Sequence, residues 1–326
     1  MISRDEVIYA YRLLLGREPE NDTVVNHYAT EVADLRALRE LFINSTEFQT
    51  SVASVLAPRP PKPSFNGPAM RVELNAPAEK LQALFSKTSH QWHHLGETEP
   101  HWSVLTNDSY FQDTFHMNRD AFYASGKSEV AMFEATLMRA GVQSSRLKRC
   151  LELGCGVGRV TAPLASRFAE VVGVDISAAH LRVAQEHFAA QGIGNVQCKH
   201  LDSVDGVAAL GNFDLLYSRI VLQHNPPPVM QHLLADLLDQ LNPGGVAFFQ
   251  VPTYKAGYRF AIDDYLSIDN HTTMEMHFLP QAALLDLLAQ KRCRLLEMRE
   301  DDAIGLSMTS VSNTFLVQKE NASQQA

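Results

Sequence analysis

Long apolar runs are missing: no stretch of eighteen consecutive apolar residues occurs in the 326 positions, so nothing in the sequence predicts a membrane-spanning helix. Basic residues are outnumbered, 28 Lys and Arg against 37 Asp and Glu, and the formal charge of −9 offers a nucleic-acid backbone no overall attraction. Cysteine is scarce. Cys150, Cys155, Cys198 and Cys293 are scattered without metal-ligand spacing, which argues against a zinc site and for a reducing compartment. The first residues carry Asp5 and Glu6 where a secretory signal would need a basic start and an unbroken apolar stretch, so a cytoplasmic protein is expected. What is present, 45% hydrophobic and 20% charged residues, excludes a mostly disordered, collagen-like or coiled-coil chain.

The length suits two domains better than one. From Asp5 to Phe48 apolar residues recur at helical spacing: Val7, Ile8, Tyr11, Leu14 and Leu15, then Leu35, Leu38, Leu41 and Phe42. Gly16 can stop the first helix, Pro19 forbids its immediate continuation, and NSTE from Asn44 to Glu47 is a capping signal for a last short helix. Between Ala57 and Pro68 the run APRPPKPSFNGP holds five prolines, the composition of a stiff connector. The expected division is a helical module over 1–56, a linker over 57–74, a helical and irregular segment over 75–148 that covers the active site, a core over 149–320 with an insertion at 252–279, and a tail from 321. The segments YRLLLGREPE and LRELFINSTEF resemble a small helical module of unassigned function, found in bacterial proteins that build or decorate surface polysaccharides. More distantly, they resemble the linker proteins of phycobilisomes. That resemblance implies docking to polysaccharide-assembly proteins, although a short bundle with no ligand would look the same.

Leu81, Leu84 and Phe85 predict one apolar helix face, and Val130, Phe133, Leu137 and Met138 another. The aromatic and His-rich stretch from Gln91 to Gly126 between them reads as irregular. From Arg149 onward short β-branched runs alternate with helical ones, the pattern of an α/β, doubly wound, Rossmann-like parallel sheet. Strands are expected near 149–153, 170–175, 195–200, 213–218 and 245–251, and a hairpin-like pair near 293–300 and 312–319 closes the sheet edge.

In LELGCGVGRV, Leu151 to Val160, a strand runs into Gly154, Gly156 and Gly158 and then into a helix. Glycines there let the chain turn sharply and pass close to a ligand, and the helix start presents unpaired N–H groups to an anionic end. Asp175 closes the second strand, 175 − 154 = 21 residues after the first glycine, where a carboxylate can accept both hydroxyl protons of a ribose. That spacing suits NAD and S-adenosylmethionine alike. The dinucleotide fingerprint would place glycine at position 159, which is Arg159, so the loop disfavours a pyrophosphate.

Five segments in order now carry a resemblance: LELGCGVGRV, VVGVDIS, QCKHLDSVD, FDLLYSRIVLQHNPP and LNPGGVAFFQVP. From about residue 120 to 319 the chain resembles a class I S-adenosylmethionine-dependent methyltransferase with a seven-stranded sheet. The resemblance implies S-adenosylmethionine as cofactor. Glu152, Gly154, Cys155, Gly156 and Gly158 would surround its methionine half, with Ser218 and Arg219 below the sulfonium. Asp175 would take the ribose, Ile176 would lie against the adenine, and Asp202, with Ser203 beside it, would meet the adenine amino group. FYASG carries Tyr123 and Gly126, placed where related enzymes fold a segment over the methionine carboxylate; packing and a turn are the plainer explanation.

Transfer to a hydroxyl needs a base, and histidine suits neutral pH best. His224 follows the fourth strand at the carboxyl edge of the sheet, and His277 sits in the insertion, a length typical of active-site covers. His277 is preferred on the acceptor side and His224 on the cofactor side; either could instead be a satisfied structural histidine. Tyr254, Tyr258, Arg259, Asp263, Asp264, Tyr265 and His271 could stack on a sugar and bind its hydroxyls, as could Trp92, Trp102, Tyr110 and Phe111 form an acceptor wall. His90, His93, His94, His101 and His116 invite a metal, but magnesium wants carboxylates and zinc wants firmer spacing, so none is expected. The acceptor expected is a hydroxyl of a bacterial surface glycan or its precursor. A small metabolite, lipid or quinone and a non-catalytic cofactor- or partner-binding module are the alternatives.

Overall fold

The computed structural model describes residues 2–50, 67–268, 274–305, 307 and 309–321. His271, the prolines between Ala57 and Pro63 and most of the tail lie outside them. The chain divides into two compact units, Met1–Lys62 and Pro63–Ala326.

In the first unit, α1 (Arg4–Ala10) begins at a reciprocal cap in which Ser3 and Glu6 satisfy each other's backbone N–H groups. It continues through a π-helical turn, Tyr11–Leu15, and ends at Gly16, whose φ of +69° no β-branched residue would adopt readily. Asn21 caps α2 (Asp22–Glu31) and Asp34 caps α3 (Leu35–Ile43). The NSTE signal acts through Ser45, whose Oγ accepts the Phe48 N–H where residues 46–50 are helical (α4). Val7, Tyr11, Val25, Leu38 and Phe42 form this unit's core, while Leu35 and Leu41, expected inside, are exposed.

The second unit is a seven-stranded sheet. Its strands are β2 (Arg149–Leu153), β3 (Glu170–Asp175), β4 (Val196–His200), β5 (Phe213–Ser218), β6 (Leu241–Lys255), β8 (Cys293–Asp301) and β9 (Ser310–Lys319), in the order β4-β3-β2-β5-β6-β9-β8. The first five run parallel; β9 lies antiparallel between β6 and β8. Alternate residues point to opposite faces. Leu151 and Leu153 therefore pack with Leu81, Leu84 and Phe85 of α5 (Ala78–Thr98), with α9 (Pro227–Gln240) and with α11 (Gln281–Gln290). Cys150 faces the other way, toward Val130, Phe133 and Leu137 of α6 (Phe115–Arg139) and Leu164 of α7 (Thr161–Ala165). Burial on both faces explains the apolar run Val171–Val174 within β3 and the apolar Cys150, Leu151 and Leu153 of β2.

Three expectations need correction. Met138 is 74% exposed, because it stands one residue past the 130-133-137 stripe and so about 100° around the helix. The stretch 91–126 is largely helical: α5 runs to Thr98 and α6 starts at Phe115, leaving 99–114 between them. The insertion starts later than 252, since β6 extends to Lys255. It then contributes a short strand β7 (Arg259–Phe260), paired in parallel with β1 (Arg71–Val72), and a helix α10 (Ile262–Leu266). Among the described residues, no helix is long and apolar enough to cross a membrane.

Candidate functional site

The carboxyl ends of β2, β3 and β5 meet at the glycine turn. Gly154 and Gly156 have φ of +74° and +52°, and a Cβ would stand 2.3 Å from Val221 Cγ2 at the first and 2.7 Å from Val104 Cγ2 at the second. Both conformation and space therefore demand glycine. The turn is tied to the next strand through Asp175: its Oδ2 accepts the Gly156 N–H and its Oδ1 the Ser177 N–H, each at 2.8 Å. Two backbone donors fix the carboxylate in one orientation, and each oxygen keeps a lone pair for a ligand.

A partly open cavity lies over this turn. Glu152, Gly154, Cys155 and Gly156 line it, as do Asp175, Ile176 and Arg219, so the structure brings together seven of the residues singled out in the sequence. Glu152 is 4% exposed, its Oε2 has no hydrogen-bond partner, and burial pushes its carboxyl up to about 8 despite the opposing influence of Thr161 and Arg159. An unsatisfied acidic oxygen in a cavity is a group that a ligand's cation or N–H can complete.

The other sequence candidates lie elsewhere. Gly158 packs beneath Phe188, where a Cβ would come within 2.5 Å of the ring. Asp202 is exposed beyond β4, and Ser203 caps the following turn by accepting the Asp205 N–H; Leu201 lines the cavity instead. Ser218 is buried outside the lining, its Oγ unpartnered. Tyr123 and Gly126 form no covering segment, because both sit inside the 25-residue helix α6. Tyr123 stacks on His187 with centroids 3.7 Å apart, and Gly126 lets the helix press on the Arg159 carbonyl, 2.0 Å from where its Cβ would be.

A second, more open cavity of about 1610 Å³ shares Ser103, Val104, Glu129, Arg219 and Ile220 with the first. Met132, Met274, Met276 and Ile304 give it an apolar side, and His224 and Gln223 a polar one. The two histidines are placed otherwise than expected. His224 lines this second cavity and its ring lies 5.0 Å from that of Trp92, which lines the first. His277 lines neither. It is 5% exposed, bonded through Nδ1 to the Tyr258 hydroxyl at 2.9 Å, and packed edge-on against Phe260 and Tyr265. Its Nε2 stands 3.4 Å from Glu275 Oε2, and its backbone N–H donates to the Gln223 carbonyl, bracing the His224 turn.

Of the insertion's aromatic residues, Tyr258 and Tyr265 turn toward His277, and neither they nor Tyr254 line the two cavities above; Tyr265, Arg259 and Asp264 line a third, separate one. Trp102 stacks on Phe111 and Tyr110 packs against Phe122, so Trp92 alone of that group reaches a cavity. The five histidines considered for a metal do not converge; His101 stacks on Phe115 at 3.4 Å, for example. Among the described residues, the group close enough to share an ion is Asp205, His232 and Asp236, which lines neither of the two cavities above.

Four contributors escaped the sequence. Glu129, on α6, pairs with Arg219 and accepts from the Tyr217 hydroxyl at 3.3 Å. Arg159 served only to exclude a dinucleotide. Ile220 has a φ of +58°, an outlier for a β-branched residue, at the wall shared by both cavities. Gln250, fully buried in β6, accepts the Ile220 N–H.

Known proteins bear on this geometry. Residues 150–245 match the family described as a methyltransferase domain. The chain is similar to a trans-aconitate 2-methyltransferase of Deinococcus radiodurans, 37% identical over 142 residues that make up 43% of this chain and 48% of that one. It is also similar to a ubiquinone biosynthesis O-methyltransferase of Parvibaculum lavamentivorans, 33% identical over 102 residues, 31% of this chain and 38% of that one. It thus spans half or less of the length of these curated relatives. Among solved structures it is similar in fold to the magnesium protoporphyrin IX methyltransferase of Synechocystis PCC 6803 with bound SAH, with a TM-score of 0.50 and 18% identity over 72% of this chain and 100% of that one. Residues 150–245 thus match a methyltransferase domain, and the chain shares its fold with a methyltransferase solved with bound SAH.

Proposed function

We propose that the protein transfers a methyl group from S-adenosylmethionine to a hydroxyl of a small acceptor seated in the second cavity. The observation that carries the reading is the wall common to the two cavities, with a neutral histidine on the acceptor side. Asp175 and the glycine turn would hold the ribose, Ile176 the adenine, and Glu152 the ammonium end. S-adenosylmethionine, when bound, supplies a methyl on a positively charged sulfur, so the protein need not provide an electrophile. What remains for the chain is to align the acceptor, exclude water and remove one proton.

His224 is arranged for the last task. Burial pushes it down to about 4, so it is neutral at pH 7. Its Nδ1–H donates to the Glu275 carbonyl at 2.8 Å, which leaves the lone pair on Nε2. That nitrogen accepts from the Gln223 amide at 3.1 Å, a bond that an incoming acceptor hydroxyl must displace before Nε2 takes its proton.

The methionine-rich side of the acceptor cavity favours an acceptor with an apolar body, such as a quinol or lipid, since methionine adapts to irregular apolar shapes. A glycan precursor is the second reading. Its support is the resemblance of the helical head to modules in polysaccharide-modifying proteins, and docking of that head to a partner protein belongs with it; the exposed Leu13, Leu35 and Leu41 fit such a role. All four thiols are free, which supports a cytoplasmic setting.

The test is production of S-adenosylhomocysteine by the full chain with a panel of quinols, phenols, fatty alcohols and sugar nucleotides. Turnover with one of the first three is expected. His224→Gln should then lower kcat by about 100-fold while leaving donor affinity within about twofold. Turnover confined to sugar nucleotides would select the second reading, and no binding of the donor at all would defeat both.

A further inference from the structure

The donor cavity contains a buried guanidinium that no carboxylate of the described residues approaches within salt-bridge distance, although it acts electrostatically on Glu152. Arg159 lines the cavity and is 7% exposed. Its Nη1 donates to Ser125 Oγ at 3.0 Å, its Nε has no partner, and it forms no salt bridge among the described residues. Arg219, in the same cavity, is paired with Glu129. Burying a guanidinium without a direct ion pair costs several kcal/mol, so a fold that retains one is suited to an anion arriving from outside.

The placement is built. Gly126 removes the side chain that would strike the Arg159 carbonyl, so α6 closes directly onto the residue, and Ser125, one position earlier, holds the guanidinium. This gives the FYASG segment a role that does not require it to touch the ligand.

Along the cavity, Ile176 and Leu201 follow β3 and β4, Asp175 ends β3, and Glu152 and Arg159 lie in and just after β2, with Glu129 beyond. One end is apolar, and the other offers acidic groups together with an unpaired guanidinium. That charged end is complementary to a zwitterion: an ammonium for the carboxyls and a carboxylate for the guanidinium. We infer that Arg159, held by Ser125 and given room by Gly126, binds the carboxylate at the amino-acid end of the donor. The inference rests on the S-adenosylmethionine reading above.

The test compares two ligands by calorimetry: S-adenosylhomocysteine, which carries the amino-acid end, and methylthioadenosine, which keeps the adenosine and thioether but lacks it. Arg159→Gln should weaken S-adenosylhomocysteine by about 10- to 100-fold and leave methylthioadenosine within about twofold. Should that variant fail to fold, Arg159→Lys is measured in the same way, with a smaller loss expected and again confined to S-adenosylhomocysteine. Parallel losses for both ligands, or an unchanged affinity for S-adenosylhomocysteine, would overturn the inference while leaving the donor reading intact. If the unaltered chain bound neither ligand, the donor reading itself would fall and the inference with it.

Discussion

Gln250 and Gln223 meet amide to amide in the interior, Nε2 of Gln250 donating to Oε1 of Gln223 at 3.0 Å. The direction of this bond is set from elsewhere. The Ile220 N–H can only donate, so it fixes Oε1 of Gln250 as its acceptor at 3.1 Å. Nε2 of Gln250 must then face Ser312 Oγ and Gln223 Oε1. Nε2 of Gln223 in turn faces His224, whose own N–H is committed to the Glu275 carbonyl. One backbone donor thereby orients a chain of side chains that ends at the candidate base.

Replacing Gln250 tests that chain. A carboxylate at this position can accept from Ile220 but cannot donate to Gln223, whereas a protonated carboxyl can do both. Gln250→Glu should therefore lower kcat by about 10- to 100-fold at pH 8 and recover part of it as the pH falls toward 5, with donor affinity nearly unchanged. Gln250→Met should show the loss without the recovery. Identical pH profiles for the two variants in steady-state kinetics would remove the orienting role.

How much of this could be read in the sequence depends on the distance over which each feature is determined. The strands were legible because β2, β3 and β5 are buried on both faces and are mostly apolar and short, and the glycine turn because Gly154 and Gly156 answer a local demand of backbone and space. Asp175 was legible because a strand–helix–strand unit fixes its offset from the turn. The acceptor side was not. Gln250 looks like any residue of a sheet strand until Ile220, thirty positions away, is found donating to it. His277 and His224 occupy equivalent-looking loop positions, and only the tertiary packing of Tyr258, Phe260 and Tyr265 turns the first inward. Glu129 is one acidic residue among many on a long helix, and nothing in its neighbours marks the pairing with Arg219.

Two imidazoles should make the second unit sensitive to mild acid. Burial holds both His101 and His224 near 4, against an ordinary value of 6.5; nearby cationic groups add to the effect at His101. A depressed histidine is neutral when folded, while the unfolded chain takes up the proton. The stability is therefore fully present above pH 6.5 and is lost as the pH falls toward 4, by up to about 3 kcal/mol for His224 and by less for His101, which water partly screens. Both tryptophans, Trp92 and Trp102, lie in this unit, so urea titrations followed by their fluorescence report its unfolding. Between pH 7 and 4.5 the midpoint should drop, and His101→Phe should make the drop shallower; an equal slope in the variant would remove His101 from the account.

Glu152 acts in the opposite sense and couples stability to the ligand. Burial raises its carboxyl from 4.5 to about 8, so without ligand the folded protein keeps a proton that the unfolded chain releases. Stability from this group is complete below pH 4.5 and declines as the pH rises through 8. Glu152→Gln should consequently stabilise the ligand-free protein at pH 8, by on the order of 2–4 kcal/mol, and hardly change it at pH 4.5. A ligand ammonium beside the carboxyl reverses the preference by favouring the ionised form. Binding of S-adenosylhomocysteine should therefore release a proton near neutral pH, seen as a dependence of the calorimetric enthalpy on buffer ionisation, and the affinity should rise with pH up to about 8. Glu152→Gln should abolish that buffer dependence and weaken binding most at high pH. If the variant kept the same proton release as the unaltered chain, the proton would belong to another group and the ammonium contact would not be at Glu152.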